Sequence, residues 1–234
     1  MSRYKELKAK TLKGNAAIPT LGLAMFTFGN LSVFDPDLRA VAIKPSGVSY
    51  NELTEEKIVV LDLDGQVLEG ILRPSSDTPT HLHLYRAFPG LRSIVHTHST
   101  YATAWAQSGR AIPVYGTTHA DHCSVEIPCA PVMRRDRITG EYEKETAYQI
   151  IEHFEKLNLD SRHCSMVLIE GHGPFTWGKN PDEALYNAAV LEELARMAMF
   201  TEILAGGQKP PLPGYLIDKH FTRKHGPGAY YGQE

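Results

Sequence analysis

The chain has 234 residues, of which 42% are hydrophobic and 22% are charged, and its formal net charge is −3. These values are ordinary for one folded domain, and they exclude an intrinsically disordered chain, which would be less hydrophobic. A slightly acidic chain also lacks a general attraction to phosphate polymers and anionic lipid, so we expect neither nucleic acid nor a membrane as a partner.

The N-terminal segment and the cysteines favour a cytoplasmic protein. Residues 1–17 alternate lysines with apolar residues and never form the uninterrupted apolar stretch of a secretory signal. The most apolar long segment, residues 184–204, is interrupted by Glu192 and Arg196, so it would cross a bilayer only at high cost. The three cysteines are odd in number and lack zinc-finger spacing, which suits a reducing compartment.

The first part of the chain predicts a short helix followed by antiparallel strands. Residues 4–13 place Leu7 and Leu12 among lysines, which indicates a weakly amphipathic helix that ends at Gly14. Short runs rich in branched and aromatic residues follow, and Gly29-Asn30 between the first two runs is a hairpin signal. Asp64-Gly65 predicts the turn of a further hairpin. The runs are AMFTF, LSVF, AVAI and KIVVLDLDGQVLEG.

Helices and strands alternate in the second part of the chain. Thr78-Pro79 is a favourable helix start, and Pro89-Gly90 is expected to stop that helix. The run RSIVHTHS predicts a strand, and CSMVLIE predicts a buried strand that ends at Gly171. Further helices are predicted over residues 100–107 and 145–157.

The longest predicted helix begins after Asn180 and ends at Gly206. Asn180 is a favourable N-cap, and Pro181 suits the first turn. Apolar residues then recur at helical spacing on one stripe, which we expect to be buried: Leu185, Ala188, Leu191, Ala195 and Ala198. The tail from Pro210 onward shows no periodicity, and no repeat or linker divides the chain, so we predict a single mixed α/β domain.

Two histidines, His96 and His98, flank Thr97 within the predicted strand RSIVHTHS. Because side chains of a strand alternate, both imidazoles are expected on the same side, a few ångströms apart. Such a pair suits Zn²⁺ or a neighbouring first-row ion, whose catalytic sites need a third protein ligand and an open position. His172 lies between two glycines after a predicted buried strand and can supply that ligand. The spacing by itself leaves open that these are ordinary histidines bonded to their neighbours.

Two other histidine pairs are weaker candidates for a metal. His81 and His83 have the same spacing, but their segment predicts a helix, where positions two apart point in different directions. His119 and His122 would meet on a helical turn, yet they lie in the loop-like stretch GTTHADHC. We therefore do not expect either pair to share an ion.

Two turns predict an anion site. Lys44 to Gly47 and Pro74 to Asp77 combine small hydroxyls with exposed backbone N–H groups that can wrap a phosphate, and Lys44 adds charge. Serine-rich turns usually serve only as turns, so each motif alone is weak evidence.

Eight motifs occur in order from about residue 20 to the C-terminus: TFGNLS, IKPSGV, PSSDTPTH, VHTHS, GTTHAD, GEYEKET, GHGPFTWGKN and KHGPGAYYGQ. Together they resemble the class II aldolase/epimerase family. The resemblance implies one three-layer α/β domain over residues 1–234, with a central, mainly antiparallel β-sheet between helical layers. It also implies a homotetramer with active sites at subunit interfaces, in which the tail from about residue 210 completes a neighbouring subunit's site.

The resemblance also implies a ligand set. His96, His98 and His172 match the family's metal histidines, which normally hold zinc, with Mn²⁺ or Co²⁺ as alternatives. Asp77 matches an acidic position beside or on the metal. The matching substrate and phosphate contacts are Gly29, Asn30, Lys44, Ser46, Gly47, Ser75 and Ser76.

The implied activity is metal-assisted epimerisation of a ketopentose 5-phosphate. Asp121 matches one acid/base residue and Tyr231 the other, which reaches in from a neighbouring subunit; Tyr230 is the alternative to Tyr231. An aldolase of the fuculose-phosphate type is the rival interpretation, but there we would expect Glu in place of Asp77. An adducin-like binding domain would not need to keep these ligands. The resemblance leaves the pathway open among arabinose, ascorbate and gulonate use.

Overall fold

One mainly antiparallel sheet organises the fold. The computed structural model describes residues 2–225 and 229–230, and the strands within them form a single eight-stranded sheet. The strands are β1 (Asn30–Asp35), β2 (Ala40–Ile43), β3 (Val59–Leu61), β4 (Val67–Glu69), β5 (Ser93–His96), β6 (Cys129–Ala130), β7 (Met166–Ile169) and β8 (Pro174–Gly178). Their order is β4-β3-β2-β1-β5-β8-β7-β6. Only β6 and β7, among these strands, pair in parallel, so the expected central antiparallel sheet is confirmed.

Helices cover both faces of the sheet. They are α1 (Lys5–Thr20), α2 (Thr78–Ala87), α3 (Thr100–Gln107), α4 (Thr117–Ala120), α5 (Arg135–Ile138), α6 (Tyr142–Lys156), α7 (Pro181–Leu204) and α8 (Gly214–His225), with short 3₁₀ helices at Tyr50–Glu52 and Glu55–Lys57. Helices α2 and α6 pack in one hydrophobic core, and α1, α3 and α7 pack in the cores of the opposite face. The predicted three-layer arrangement is therefore confirmed.

Strand residues alternate between these layers. Ile94 faces the core that contains α2 and α6, whereas its neighbour Val95 faces the core that contains α1 and α7. The same alternation places Val41 in the first core and Ala42 in the second. A side-chain period of two within strands covered on both faces explains why these runs read as continuously apolar.

The long helix α7 agrees closely with its prediction. The Asn180 side chain caps it by accepting a hydrogen bond from the Glu183 N–H at 2.8 Å. All five residues of the expected stripe, from Leu185 to Ala198, are buried. No helix in the described part of the chain is both long and apolar enough to span a membrane.

Two predictions near the N-terminus are wrong, a helix end at Gly14 and a hairpin at Gly29-Asn30. Helix α1 passes through Gly14 and continues to Thr20. A Cβ at residue 14 would lie 2.8 Å from the Leu31 side chain. Glycine there permits a close approach of α1 to β1. Gly29-Asn30 forms no hairpin either, since AMFTF is not a strand and the first hairpin joins β1 to β2. The Asp64-Gly65 turn between β3 and β4 is confirmed.

The tail contains a helix that its sequence did not reveal. Residues 214–225 form α8, which packs on α4. None of the residues of α8 is buried, although Leu216, Ile217 and Phe221 recur at helical spacing. Polar contacts to Asp121 hold it instead, as described below.

Candidate metal centre and substrate pocket

Three imidazoles converge at one edge of the sheet. Candidate ligand atoms of His96, His98 and His172 all lie within 4.8 Å of one another, and the Nε2 atoms of His96 and His98 are 3.2 Å apart. The predicted strand, residues 92–99, is too long, since β5 begins at Ser93 and ends at His96, three residues before the predicted end. The pair nevertheless stays together, because the chain runs on beside β8 with the Thr97 N–H bonded to the Pro174 carbonyl at 3.4 Å.

A tight connection between β7 and β8 brings His172 to this edge. The His172 N–H bonds the Ile169 carbonyl at 3.0 Å, and the Ile169 N–H bonds the Gly173 carbonyl at 3.0 Å. β8 lies next to β5 in the sheet, with Phe175 opposite His96. His172, in the connection between β7 and β8, therefore lies directly beside His96 and His98.

The hydrogen bonds and the burial of these rings suit metal binding. His96 donates from Nδ1 to the Pro174 carbonyl at 2.9 Å, so the lone pair of its neutral form is on Nε2, and its ring stacks on Phe175 at 4.2 Å. Burial, followed by the nearby imidazoles, lowers the pKa of His172 to about 4 and also lowers the pKa of His98. His172 Nδ1 is buried with no hydrogen-bond partner in the described residues. Three converging imidazoles fit a divalent first-row ion.

Asp77 stands beside this cluster, directly before α2. Its Oδ2 accepts a hydrogen bond of 2.6 Å from Asn30 Nδ2, which also reaches Ser75 Oγ at 3.1 Å. Burial by itself would raise the pKa of Asp77, but the neighbouring imidazoles and the Asn30 hydrogen bond outweigh it, and the pKa lies below the ordinary value. A carboxylate therefore faces the histidines.

The cluster opens on a cavity of about 440 Å³. Every substrate-contact residue that the resemblance implied lines it, together with the three histidines and Asp77. Asp121 does not line it. The full lining is Thr27, Phe28, Gly29, Asn30, Lys44, Pro45, Ser46, Gly47, Ser75, Ser76, Asp77, His96, His98, Tyr142, Glu143 and His172.

The two serine turns form one wall of this cavity. The Ser46 N–H bonds the Arg73 carbonyl and the Ser75 N–H bonds the Lys44 carbonyl, both at 3.0 Å. These bonds hold the turns side by side, although about 30 residues separate them in the sequence. Ser46, Gly47 and Ser76 are exposed there, so hydroxyls and backbone N–H groups of both turns are available to an anion.

Lys44 is a buried cation at the base of this wall. Its side chain lies above the Tyr50 ring, with Nζ 5.1 Å from the centroid. Among the described residues, Nζ donates only long hydrogen bonds, to the carbonyls of Thr27 at 3.4 Å and Pro45 at 3.5 Å. Burial lowers the pKa of Lys44. An anionic ligand in the cavity would complete its coordination.

Gly29 is held in a conformation that disfavours any side chain. Its φ is +77°, and a Cβ would lie 2.8 Å from the carbonyl oxygen of His96. The close approach of residue 29 to the His96 backbone explains the glycine better than the hairpin signal does.

Replacing Gly29 with alanine is therefore expected to destabilise the protein more than an ordinary glycine replacement. Gly22 provides a matched control, because its φ is +71° but a Cβ there would meet no atom within 4 Å. We expect Gly22→Ala to cost about 1 kcal/mol from the backbone alone. Gly29→Ala should cost roughly 1–3 kcal/mol more, since a backbone contact is added. Urea unfolding measures both, and equal losses would contradict the contact.

Asp121 and the tail lie apart from the cavity within one chain. Asp121 directly follows α4, and its carboxylate accepts hydrogen bonds from Arg223 at 2.9 and 2.5 Å and from His220 at 3.0 Å. Burial would raise the pKa of Asp121, but these partners lower it below the ordinary value. Tyr231 lies outside the described residues. Tyr230 is exposed, with Lys219 Nζ 5.4 Å from its ring centroid.

The remaining histidine pairs lie outside the cluster of His96, His98 and His172 in the described residues, as expected. His119 Nε2 lies 3.0 Å from the Val125 carbonyl, and His122 Nε2 lies 2.7 Å from the Tyr186 hydroxyl. His81 is buried in the core behind the cavity, and His83 contacts the Tyr148 ring.

Five residues of the cavity had no predicted role: Thr27, Phe28, Pro45, Tyr142 and Glu143. Tyr142 and Glu143 begin α6 and line the cavity, and the Tyr142 ring lies 6.3 Å from the His172 ring. Both belong to the motif GEYEKET, which contributed to the resemblance. The motif was therefore a usable signal for these two positions.

Comparisons with known proteins agree with this geometry. The family model for class II aldolase and adducin N-terminal domains matches residues 10–199. The L-ribulose-5-phosphate 4-epimerases UlaF of Salmonella paratyphi A and B are 47% and 48% identical over 230 and 233 residues, which is 98% of this chain and 100% of each relative. A solved L-fuculose 1-phosphate aldolase is 28% identical with a TM-score of 0.74, covering 94% of this chain and 95% of that one. The l-fuculose-1-phosphate aldolase of Thermus thermophilus is 26% identical with a TM-score of 0.65, over 88% and 98%.

Proposed function

Because the chain belongs to the class II aldolase family, we propose that it is an L-ribulose-5-phosphate 4-epimerase that interconverts L-ribulose 5-phosphate and D-xylulose 5-phosphate. The observation that carries this proposal is the cluster of three imidazoles, within 4.8 Å of one another, that opens on a serine-lined cavity. The identity of 47–48% to two epimerases over nearly the whole chain supports it.

The substrate itself dictates the type of reaction. C4 of a 2-ketopentose is not adjacent to the carbonyl carbon, so its hydrogen is too weakly acidic for direct removal. The 4-hydroxyl is β to the carbonyl, and loss of its proton permits retro-aldol cleavage of the C3–C4 bond. The fragments are the enediolate of dihydroxyacetone and glycolaldehyde phosphate. Turning the aldehyde and re-forming the bond on its other face inverts C4.

In this proposal His96, His98 and His172 hold a divalent cation, zinc by preference and Mn²⁺ or Co²⁺ as alternatives. When bound, the cation supplies a Lewis acid for negative charge on oxygen. Pro174 fixes the tautomer of His96 and so presents the Nε2 lone pair to the site. Asp77 adds a carboxylate beside the imidazoles, which increases the preference of this edge for a cation.

Lys44 and the two serine turns would bind the phosphate. Lys44 brings a buried positive charge with only weak carbonyl partners among the described residues. Ser46 and Ser76 bring exposed hydroxyls on adjacent turns. Anchoring the phosphate keeps the aldehyde fragment in the cavity while its carbonyl end turns. Without this anchor, the same chemistry would release the fragments, as an aldolase does.

Two proton-transfer groups are needed because each face of the aldehyde yields its own alkoxide. We assign Asp121 to one face and Tyr231 of a neighbouring subunit to the other. Asp121 lies outside the cavity of its own chain and is bonded to Arg223 of the tail. These groups can therefore act only where an assembled neighbour brings them to a cavity.

We accordingly propose a homotetramer, in the cytoplasm, with active sites at subunit interfaces. Large apolar side chains at the mouth of the cavity support assembly: Met25, Phe26 and Phe28 are 67%, 78% and 53% exposed. Contact with a second copy would cover them. Three unpaired cysteines support a reducing compartment.

A direct assay tests the function. The zinc-loaded protein is incubated with L-ribulose 5-phosphate, and we expect D-xylulose 5-phosphate to form until equilibrium is reached. Accumulation of glycolaldehyde phosphate without the epimer would identify an aldolase instead. Absence of both products would indicate a binding domain of the adducin type.

Mixed tetramers test the shared site. Tyr231→Phe and His98→Ala are each expected to be inactive as pure proteins, because each lacks one half of every site. Co-expression in equal amounts should restore roughly a quarter of wild-type activity. A site is intact only when its histidines come from a Tyr231→Phe subunit and its tail comes from a His98→Ala subunit. Mixed tetramers without any recovery would show that the tail serves its own chain.

A further inference from the structure

A chain of hydrogen-bonded side chains lies in the core directly behind the proposed metal centre. The Tyr85 hydroxyl lies 2.7 Å from Ser32 Oγ, and Ser32 Oγ lies 2.7 Å from His81 Nδ1. His81 and Ser32 are fully buried and Tyr85 is 7% exposed. Polar groups buried in an otherwise apolar core are costly unless their hydrogen bonds are satisfied, so such a chain calls for a reason beyond packing.

The direction of the protons in this chain follows from the number of donors. Tyr85 has one hydroxyl proton, and Ser32 Oγ is the side-chain acceptor that it contacts in the described residues. Ser32 then has its own proton left to donate to His81 Nδ1. Because Nδ1 accepts, the neutral ring carries its proton on Nε2. Burial lowers the pKa of His81 to about 3, so the ring is neutral at physiological pH.

The backbone directs this ring towards Asp77. The His81 N–H bonds the Asp77 carbonyl at 3.1 Å, one turn earlier, so both side chains lie on the same face of the helix. On β1, Asn30 and Ser32 are two residues apart and therefore share a face. Asn30 contacts Asp77, and Ser32 contacts His81. The strand thus holds the two helix residues side by side.

Phe175 separates His81 from the metal ligands. The Phe175 ring stacks on His96 at 4.2 Å and meets the His81 ring edge-on at 6.0 Å. His81 is therefore not a fourth ligand. Its Nε2 is buried and has no hydrogen-bond partner in the described residues, although the Asp77 carboxylate acts on the ring electrostatically.

We propose that Tyr85 and Ser32 lock His81 in the Nε2–H tautomer, and that His81 is a positioning residue that supports the ionised Asp77 carboxylate electrostatically from one helical turn away, with no direct hydrogen bond to it. The consequence for catalysis rests on the proposed function. The tautomer does not rest on the proposed function, because it follows only from the hydrogen bonds among Tyr85, Ser32 and His81. A neutral ring with a fixed tautomer favours the ionised carboxylate without adding a charge to the core.

Nitrogen-15 NMR of the histidine-labelled, metal-free protein tests the tautomer, with the His81 signals identified by their loss in His81→Gln. We expect Nδ1 unprotonated and Nε2 protonated in the wild type. Tyr85→Phe removes the terminal donor and should release Ser32, so a Nδ1–H population is expected to appear. Tyr4→Phe is the control, since Tyr4 is also buried but lies in the opposite core. A Nδ1–H tautomer in the wild type, or no response to Tyr85→Phe, overturns the proposal.

Zinc affinity, measured by chelator competition, tests the positioning role without relying on activity. His81→Gln retains an amide that can donate near the Nε2 position, whereas His81→Leu does not. We expect zinc affinity to fall about 10–100-fold in His81→Leu and less in His81→Gln. Equal zinc affinities in all three proteins overturn the proposal. If His81→Leu does not fold, Tyr85→Phe takes its place and should show a smaller loss of zinc affinity. A wild type that binds none of zinc, Mn²⁺ and Co²⁺ defeats the proposed function, while the tautomer measurement still stands.

Discussion

Replacing His98 with alanine is expected to abolish zinc binding and to lower epimerase activity at least 100-fold, because a cluster of three ligands would lose one of them. His98 is the most exposed of the three histidines, so the folded structure should survive the change. The defect should therefore appear as lost metal and lost turnover at an almost unchanged unfolding temperature. Chelator competition and the L-ribulose 5-phosphate assay measure the two effects.

His163→Ala is a suitable control for this experiment. The His163 side chain is 67% exposed and lies on the surface beside Asp160, so its removal should affect neither zinc nor turnover. Removing zinc from the wild type should reproduce the His98→Ala defect, and adding zinc back should reverse it only in the wild type. Full activity of His98→Ala after chelation would refute the metal-dependent mechanism.

The cluster of three histidines could be predicted because its signal is local. Two histidines separated by one residue need only an extended backbone to face the same way, and the chain stays beside β8 at Thr97 although β5 ends at His96. His172 required one further step, the expectation that a buried strand ends next to it. Both inferences depend on spacing within a few residues.

The predictions for Gly14 and Gly29 were wrong because each glycine is required by a contact with a residue distant in the sequence. Gly29-Asn30 has the composition of a turn, but Gly29 is needed because the His96 carbonyl passes 2.8 Å from where its Cβ would be. Gly14 likewise marks the contact of α1 with Leu31 and not the end of a helix. Sequence near a glycine does not distinguish a turn from a close approach of two remote segments.

The tail shows the same limit for polar contacts. Helix α8 has no buried residue, and it is held largely by the bonds of Arg223 and His220 to Asp121, about 100 residues away. Neither hydrophobic periodicity nor local motifs report such a contact. The sequence equally could not predict that Asp121 lies outside the cavity of its own chain. This position makes the assembly part of the proposed mechanism.

Replacing Lys44 with methionine is expected to weaken catalysis while making the fold more stable. Lys44 is 2% exposed and has only long bonds to two carbonyls in the described residues. A buried ammonium without a carboxylate partner costs free energy, whereas methionine fills a similar volume without a charge. We expect the free energy of unfolding to rise by about 1 kcal/mol, as measured by urea denaturation without substrate. Lys209→Met, at an exposed lysine, should leave both stability and activity unchanged.

The catalytic loss should fall mainly on substrate binding. A charge-assisted hydrogen bond to the phosphate contributes about 1.5–3 kcal/mol, so kcat/KM should fall roughly 10–150-fold in Lys44→Met. Because the phosphate keeps its charge throughout the reaction, KM should rise more than kcat falls. Unphosphorylated L-ribulose should be turned over equally poorly by both proteins, since it has nothing for Lys44 to bind. A variant that loses stability and keeps its KM would show that Lys44 supports the wall of the cavity and leaves the phosphate to the serine turns.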